Sequence, residues 1–170
     1  ERFEAYRNRR LNDLLGSKDT LTVQDMKDFQ MDNYSVLASD LLPVLLQDLD
    51  TTSLSADQMS LVRELRSWDY MYDIEATLPA FFEIWKNEVF SGIWDDEFEA
   101  EELPLKQPLK QVTSGILRTL PEFSFYDNIS TPELETKAMI INSAFQSAYD
   151  KMKEYNEDPS KWNWAEWKGT

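Results

Sequence analysis

The sequence predicts an all-α fold: an irregular bundle of about six to seven helices arranged around a long helix near residues 131–155. Three observations carry this. The 170 residues contain only 4 Gly and 7 Pro, too few for a sandwich or barrel with many tight turns. Leu134, Ala138, Ile141, Phe145, Ala148, Met152 and Tyr155 recur alternately four and three apart, which lays one stripe along one side of a helix. Helix-start chemistry also recurs along the chain, with Thr22 followed three residues on by Asp25 and Ser55 followed by Gln58.

Taken in order, residues 2–15 read as a first helix with Phe3, Tyr6, Leu11, Leu14 and Leu15 apolar, ended by Gly16. Thr22 caps a short second helix carrying Met26, Phe29 and Gln30, with Leu21 and Met26 placed as a hydrophobic staple. A third runs from about Asn33 to Asp48, burying Tyr34, Leu37, Ala38, Leu41, Leu42, Leu45 and Leu49. Pro43 lies inside it and is expected to bend it near Ser39. Ser55 opens a fourth helix with a capping box and the staple Leu54–Met59, and Leu61, Val62, Leu65 and Trp68 continue its stripe. Residues 69–75 connect to a helix from about Leu78 to Ser91, with Pro79 in the first turn and Gly92 near the end. Its apolar side is broad, which calls for burial on more than one side. A short helix over about Leu109–Leu120 carries Val112, Ile116 and Leu117, and an aromatic loop, 121–130, leads to the long helix. There Thr131 is the expected N-cap, with Pro132 in the first turn and Lys151 and Lys153 in the last.

Length and composition fit one domain, residues 1–170, with a substantial core: 42% of residues are apolar and 13% aromatic. No apolar run nears the roughly 20 residues of a membrane span, and no signal peptide is visible. The first residue is Glu1, so the expectation is a chain cut from something longer or matured by processing. The net charge is −15, from 32 acidic and 17 basic residues. Nucleic acid and anionic membrane surfaces would repel it. With no His and no Cys, Ser-His-Asp and Cys-His catalysis within this chain are excluded, as are disulfides and the usual zinc sites.

Four patterns bear on function. Arg2, Arg7, Arg9 and Arg10 cluster at the start of an acidic chain. They form either a solvated face that balances nearby carboxylates or a source of one fixed cation aimed into a site. Six carboxylates fall in residues 95–102, but counting from Asp95 the sixth and twelfth positions are Ala100 and Lys106. A calcium EF-hand needs Gly and Glu there, so a solvated acidic loop is expected. Asn128-Ile129-Ser130 is a glycosylation sequon, meaningful only in a eukaryotic secreted protein. Trp162, Trp164 and Trp167 are either a stacking platform for a sugar or peptide or, as expected, anchors that pin the tail by burying large area.

Three stretches together resemble the penicillin acylase family of N-terminal-nucleophile amidohydrolases. The first is Tyr6-Arg7-Asn8-Arg9-Arg10-Leu11-Asn12-Asp13-Leu14-Leu15. The second spans Leu21 to Leu49, with Leu21-Thr22, Asp25-Met26, Gln30-Met31-Asp32, Ser35, Ala38 and Leu41-Leu42-Pro43-Val44-Leu45-Leu46. The third is Leu65-Arg66-Ser67-Trp68-Asp69, followed by Ala76, Phe82 and Trp85. Lys161-Trp162-Asn163-Trp164 is similar to the family's Trp-x-Trp-Gly element, with Ala165 in place of the glycine.

The resemblance implies that these residues are the helical middle section of a β chain, excised from an αββα hydrolase. Such an enzyme cleaves itself to expose an N-terminal Ser nucleophile, whose own α-amine is the base, and an Asn and a backbone N–H hold the oxyanion. Nucleophile, oxyanion Asn and sheets would lie outside this chain, which would not be catalytic alone. By position, Arg7 matches the family's arginine close to the nucleophile; Arg10 looks structural. Composition and spacing do not choose among the four arginines. The implied partners are the rest of the β chain, the α chain and a small-molecule amide substrate, with no nucleic acid and no membrane. The implied location is periplasmic or extracellular. No cofactor is expected in this chain; the resemblance leaves room for calcium elsewhere in the parent protein. The competing expectation is a freestanding acidic helical module for protein interaction, motivated by the charge and the tryptophan-rich tail.

Overall fold

The computed structural model describes residues 6–99 and 107–169. Among them are eight α-helices and no strand: α1 (Tyr6–Gly16), α2 (Val23–Met31), α3 (Val36–Asp48), α4 (Ala56–Ser67), α5 (Leu78–Glu99), α6 (Lys110–Thr119), α7 (Lys137–Tyr155) and α8 (Trp164–Lys168). Short 3-10 turns lie at Ser124–Tyr126 and Pro159–Lys161. The all-α expectation holds, with α8 added in the tail. No helix among the described residues is long and apolar enough to cross a membrane. Arg2 and Phe3, like Ala100, Glu101, Glu102 and Lys106 of the acidic stretch, lie outside the described residues.

The two capping boxes read from sequence are formed. Thr22 accepts from Asp25 N at 3.1 Å while the Asp25 carboxylate accepts from Thr22 N at 2.8 Å. Ser55 and Gln58 do the same at 3.2 and 2.9 Å. Each arrangement satisfies two backbone donors that a helix start leaves open.

The core lies between α5 and α7, covered by α3 and α4. Phe81, Phe82, Trp85, Val89 and Ile93 of α5 are fully buried, as are Ile141, Ala148 and Met152 of α7. Trp85 meets Phe145 edge-on at 5.0 Å and donates its indole N–H to Ile141 O at 3.2 Å. Such ring pairs add about 0.5–1.5 kcal/mol each beyond the area they bury.

Two helices differ from their expected bounds. α5 does not stop near Gly92 but runs on to Glu99. A Cβ built on Gly92 would lie 2.9 Å from Ile140 Cγ2, so this glycine lets α7 close against α5 rather than ending a helix. Buried Ile93 and Trp94 carry the helix through the acidic run, with Trp94 donating to Thr113 Oγ1 of α6 at 3.0 Å. The first half of the expected acidic loop is therefore helical.

α7 begins at Lys137, capped by Thr136 instead of Thr131. Side chains take up the preceding backbone: the Glu135 carboxylate accepts from Asn128 N at 3.0 Å, and Asp127 accepts from Glu135 N at 3.1 Å. Those local bonds compete with a helical turn and win. Hence Leu134 is 76% exposed, Ala138 is exposed, and only the middle of the stripe faces the core.

Smaller differences follow the same logic. α3 is capped by Ser35, because Asn33 and Tyr34 are drawn into an isolated antiparallel bridge with Met71. Of the apolar residues read on α6, Leu117 is buried and Val112 is half exposed, while Thr113 and Ser114 are buried beside Leu117. The tail is anchored as expected. Trp162 is buried and stacks on Phe81 at 6.1 Å, while Trp164 N and Ala165 N donate to Ala76 O and Ile74 O at 2.9 and 3.2 Å.

Candidate functional site

The arginines of α1 separate by what they hold. No residue of α1 is fully buried, so polar contacts do much of the work of docking this helix. Arg10 forms a two-pronged bond to Asp32, with Nε to Oδ2 at 2.9 Å and Nη2 to Oδ1 at 2.6 Å. Its guanidinium also lies 4.2 Å from the Tyr34 ring centre. Planar, permanently charged and five times a donor, arginine suits both contacts. The hydrogen bond from Arg10 holds the Asp32 carboxyl below the usual carboxylate range, against the opposing effect of burial. The same bond raises the Arg10 value further. Arg9 pairs with Asp40 of α3 at 2.6 Å, and Arg118 of α6 reaches the same carboxylate at 3.2 Å.

Arg7 differs. It is exposed and donates from Nη1 to the backbone carbonyl of Asp32 at 3.3 Å. It is the α1 arginine whose guanidinium has no carboxylate partner among the described residues. Its guanidinium is thus held by a backbone carbonyl, while the Asp32 carboxylate bonds Arg10.

Arg7 lies on a cleft of about 460 Å³ that it shares with Arg10, Tyr34, Tyr72, Glu83 and Trp164. The Tyr72 hydroxyl donates to Glu83 Oε1 at 2.8 Å, and the ammonium of buried Lys86 bonds Glu83 Oε2. Burial first, then the charge of Glu83, pushes the Tyr72 hydroxyl far above its ordinary value. Glu83 engages both oxygens with these donors, and Tyr72 is kept protonated. Ser35, also on this cleft, spends its hydroxyl as the cap of α3, accepting from Ala38 N at 3.1 Å. With the Tyr72 hydroxyl spent on Glu83, the arrangement offers the guanidinium of Arg7, suited to stabilising an anion rather than to delivering a nucleophile.

Sequence reasoning singled out Arg7 and the structure places it at this rim. It did not single out Glu83, nor Tyr72, which falls in the expected connection 69–75. Asp32 and Ser35 appeared only inside a quoted motif. The acidic stretch gathers no metal site among the described residues: Asp96 accepts from Ile129 N at 2.9 Å, and no group of three or more potential ligands is assembled.

Compared with known proteins, residues 2–170 match a family model described as penicillin amidase. No curated protein matches the chain.

Proposed function

Because the chain belongs to the penicillin amidase family, we propose that it forms the helical section of an amidohydrolase that cleaves an acyl-amine bond, with the nucleophilic Ser in another part of the polypeptide. In this reading the Ser attacks the acyl carbonyl, its α-amine takes the proton, the amine leaves, and water releases the acid from the acyl-enzyme. Arg7 supplies a fixed guanidinium beside the oxyanion, where negative charge grows in the transition state. The partners are then the rest of the β chain and the α chain, and the location is periplasmic or extracellular.

The observation that carries this is the family match over residues 2–170. It is supported by the state of Arg7, a cation at the rim of a cleft that bonds a backbone carbonyl and, among the described residues, forms no ion pair. The competing module reading loses one of its two motives, since Trp162 is buried and Trp164 and Trp167 pack against the core.

The test is kinetic. In the full self-processed enzyme, Arg7→Ala lowers kcat on an acyl-amine substrate by about 10²–10³-fold and shifts stability by less than about 0.5 kcal/mol. The 170 residues by themselves turn over neither a phenylacetyl amide nor an acyl lactone. Unchanged kinetics in Arg7→Ala removes that residue from the reaction; turnover by the isolated chain removes the whole reading.

A further inference from the structure

We propose that Asp32 is a positioning residue for Arg7: its backbone carbonyl receives the Arg7 guanidinium while its carboxylate grips Arg10 one turn further along α1. The proposal rests on the reading of Arg7 given above and names what aims it. The two contacts, at 3.3 Å for Arg7 and at 2.6 and 2.9 Å for Arg10, come from one residue and hold one face of one helix.

Three features make Asp32 the fixed point. It follows the last turn of α2 as its C-cap. The chain beyond it is tied down at once, with Tyr72 N donating to Asn33 O at 3.2 Å and Ser35 N to Tyr70 O at 2.9 Å. Its side chain is only 9% exposed, so water competes weakly for Arg10. On the other side α1 has no fully buried residue that would hold its axis independently. A shift in the Arg10 fork therefore moves the helix, and Arg7 moves with it. Misplacement by about 1 Å of a group that stabilises a transition state costs on the order of 100-fold in rate.

The test is a double-mutant cycle in the full self-processed enzyme, with kcat expressed per titrated active site. Asp32→Asn keeps the backbone carbonyl and the side-chain volume but loses the charge and one arm of the fork. It lowers kcat by about 10-fold or more while KM changes less than about 2-fold. In an Arg7→Ala background the same substitution changes kcat by less than about 2-fold, because the group it aims is gone. Arg10→Lys, which keeps the charge but not the fork, follows the same pattern at smaller amplitude and serves if Asp32→Asn does not fold or process. Equal losses in both backgrounds would reduce Asp32 to a structural residue and overturn the proposal while leaving the role of Arg7 intact. Full activity of Arg7→Ala alone would remove the premise, and the proposal with it.

Discussion

The α5–α7 pair and the α1 shoulder are held by opposite physics. Between α5 and α7 the buried contacts are mostly apolar: Trp85 and Ile141 are fully buried, and Gly92 brings the two backbones closer than any other residue type would allow, while Glu88 also bonds Ser147 and Lys151 across the pair. α1 has no fully buried residue and is fastened by Arg7 and Arg10 to Asp32 and by Arg9 to Asp40. Apolar burial is strong and indifferent to salt and pH, whereas exposed ion pairs are weak and sensitive to both. The candidate site is thus carried by the part of the molecule whose position depends most on solution conditions.

The sharpest challenge to this contrast is Trp85→Ala. It removes a fully buried indole and its bond to Ile141 O, and should cost about 3–5 kcal/mol in urea or thermal unfolding. A loss below about 1 kcal/mol would show that this interface is not the main source of stability.

Gly92→Ala comes next. Overpacking costs about 1–3 kcal/mol, and Ile140 is β-branched and yields little. Helix propensity returns roughly 1 kcal/mol. The net expectation is a loss of about 1 kcal/mol, relieved when Ile140→Ala is added. Lack of relief would place the strain elsewhere than at the 2.9 Å contact.

On the shoulder the global effect should be smallest. Asp40→Ala breaks the pairs with Arg9 and Arg118, whose side chains are 45% and 44% exposed, and should cost less than about 1 kcal/mol. Amide exchange in α1 should nevertheless quicken while α7 stays protected. Acid should act alike. The Asp32 carboxyl is held below the ordinary range, so its contribution is complete above about pH 4 and fades as pH falls through the lowered native value. Equal loss of protection in α1 and α7 on acidification would erase the distinction between the two regions.

What could be read from sequence was what depends on neighbours in sequence. The capping boxes at Thr22 and Ser55 involve residues three apart, and both formed. The extension of α5 depends on Ile140 and Thr113, which belong to other helices, so from sequence alone Gly92 reads as a stop although in the fold it is a notch. The start of α7 was misplaced because Asp127 and Glu135 satisfy the backbone before it. At the site, Arg7 stood out only through a family resemblance; spacing could not separate it from Arg9 and Arg10. Its partner Asp32 lies 25 positions away, and no local pattern joins the two.

The cleft beside Arg7 is bordered by Tyr6 of the first helix and Lys168 of the last. The first and last described helices therefore meet at one cleft, so a substitution that loosens either α1 or α8 reshapes the same opening.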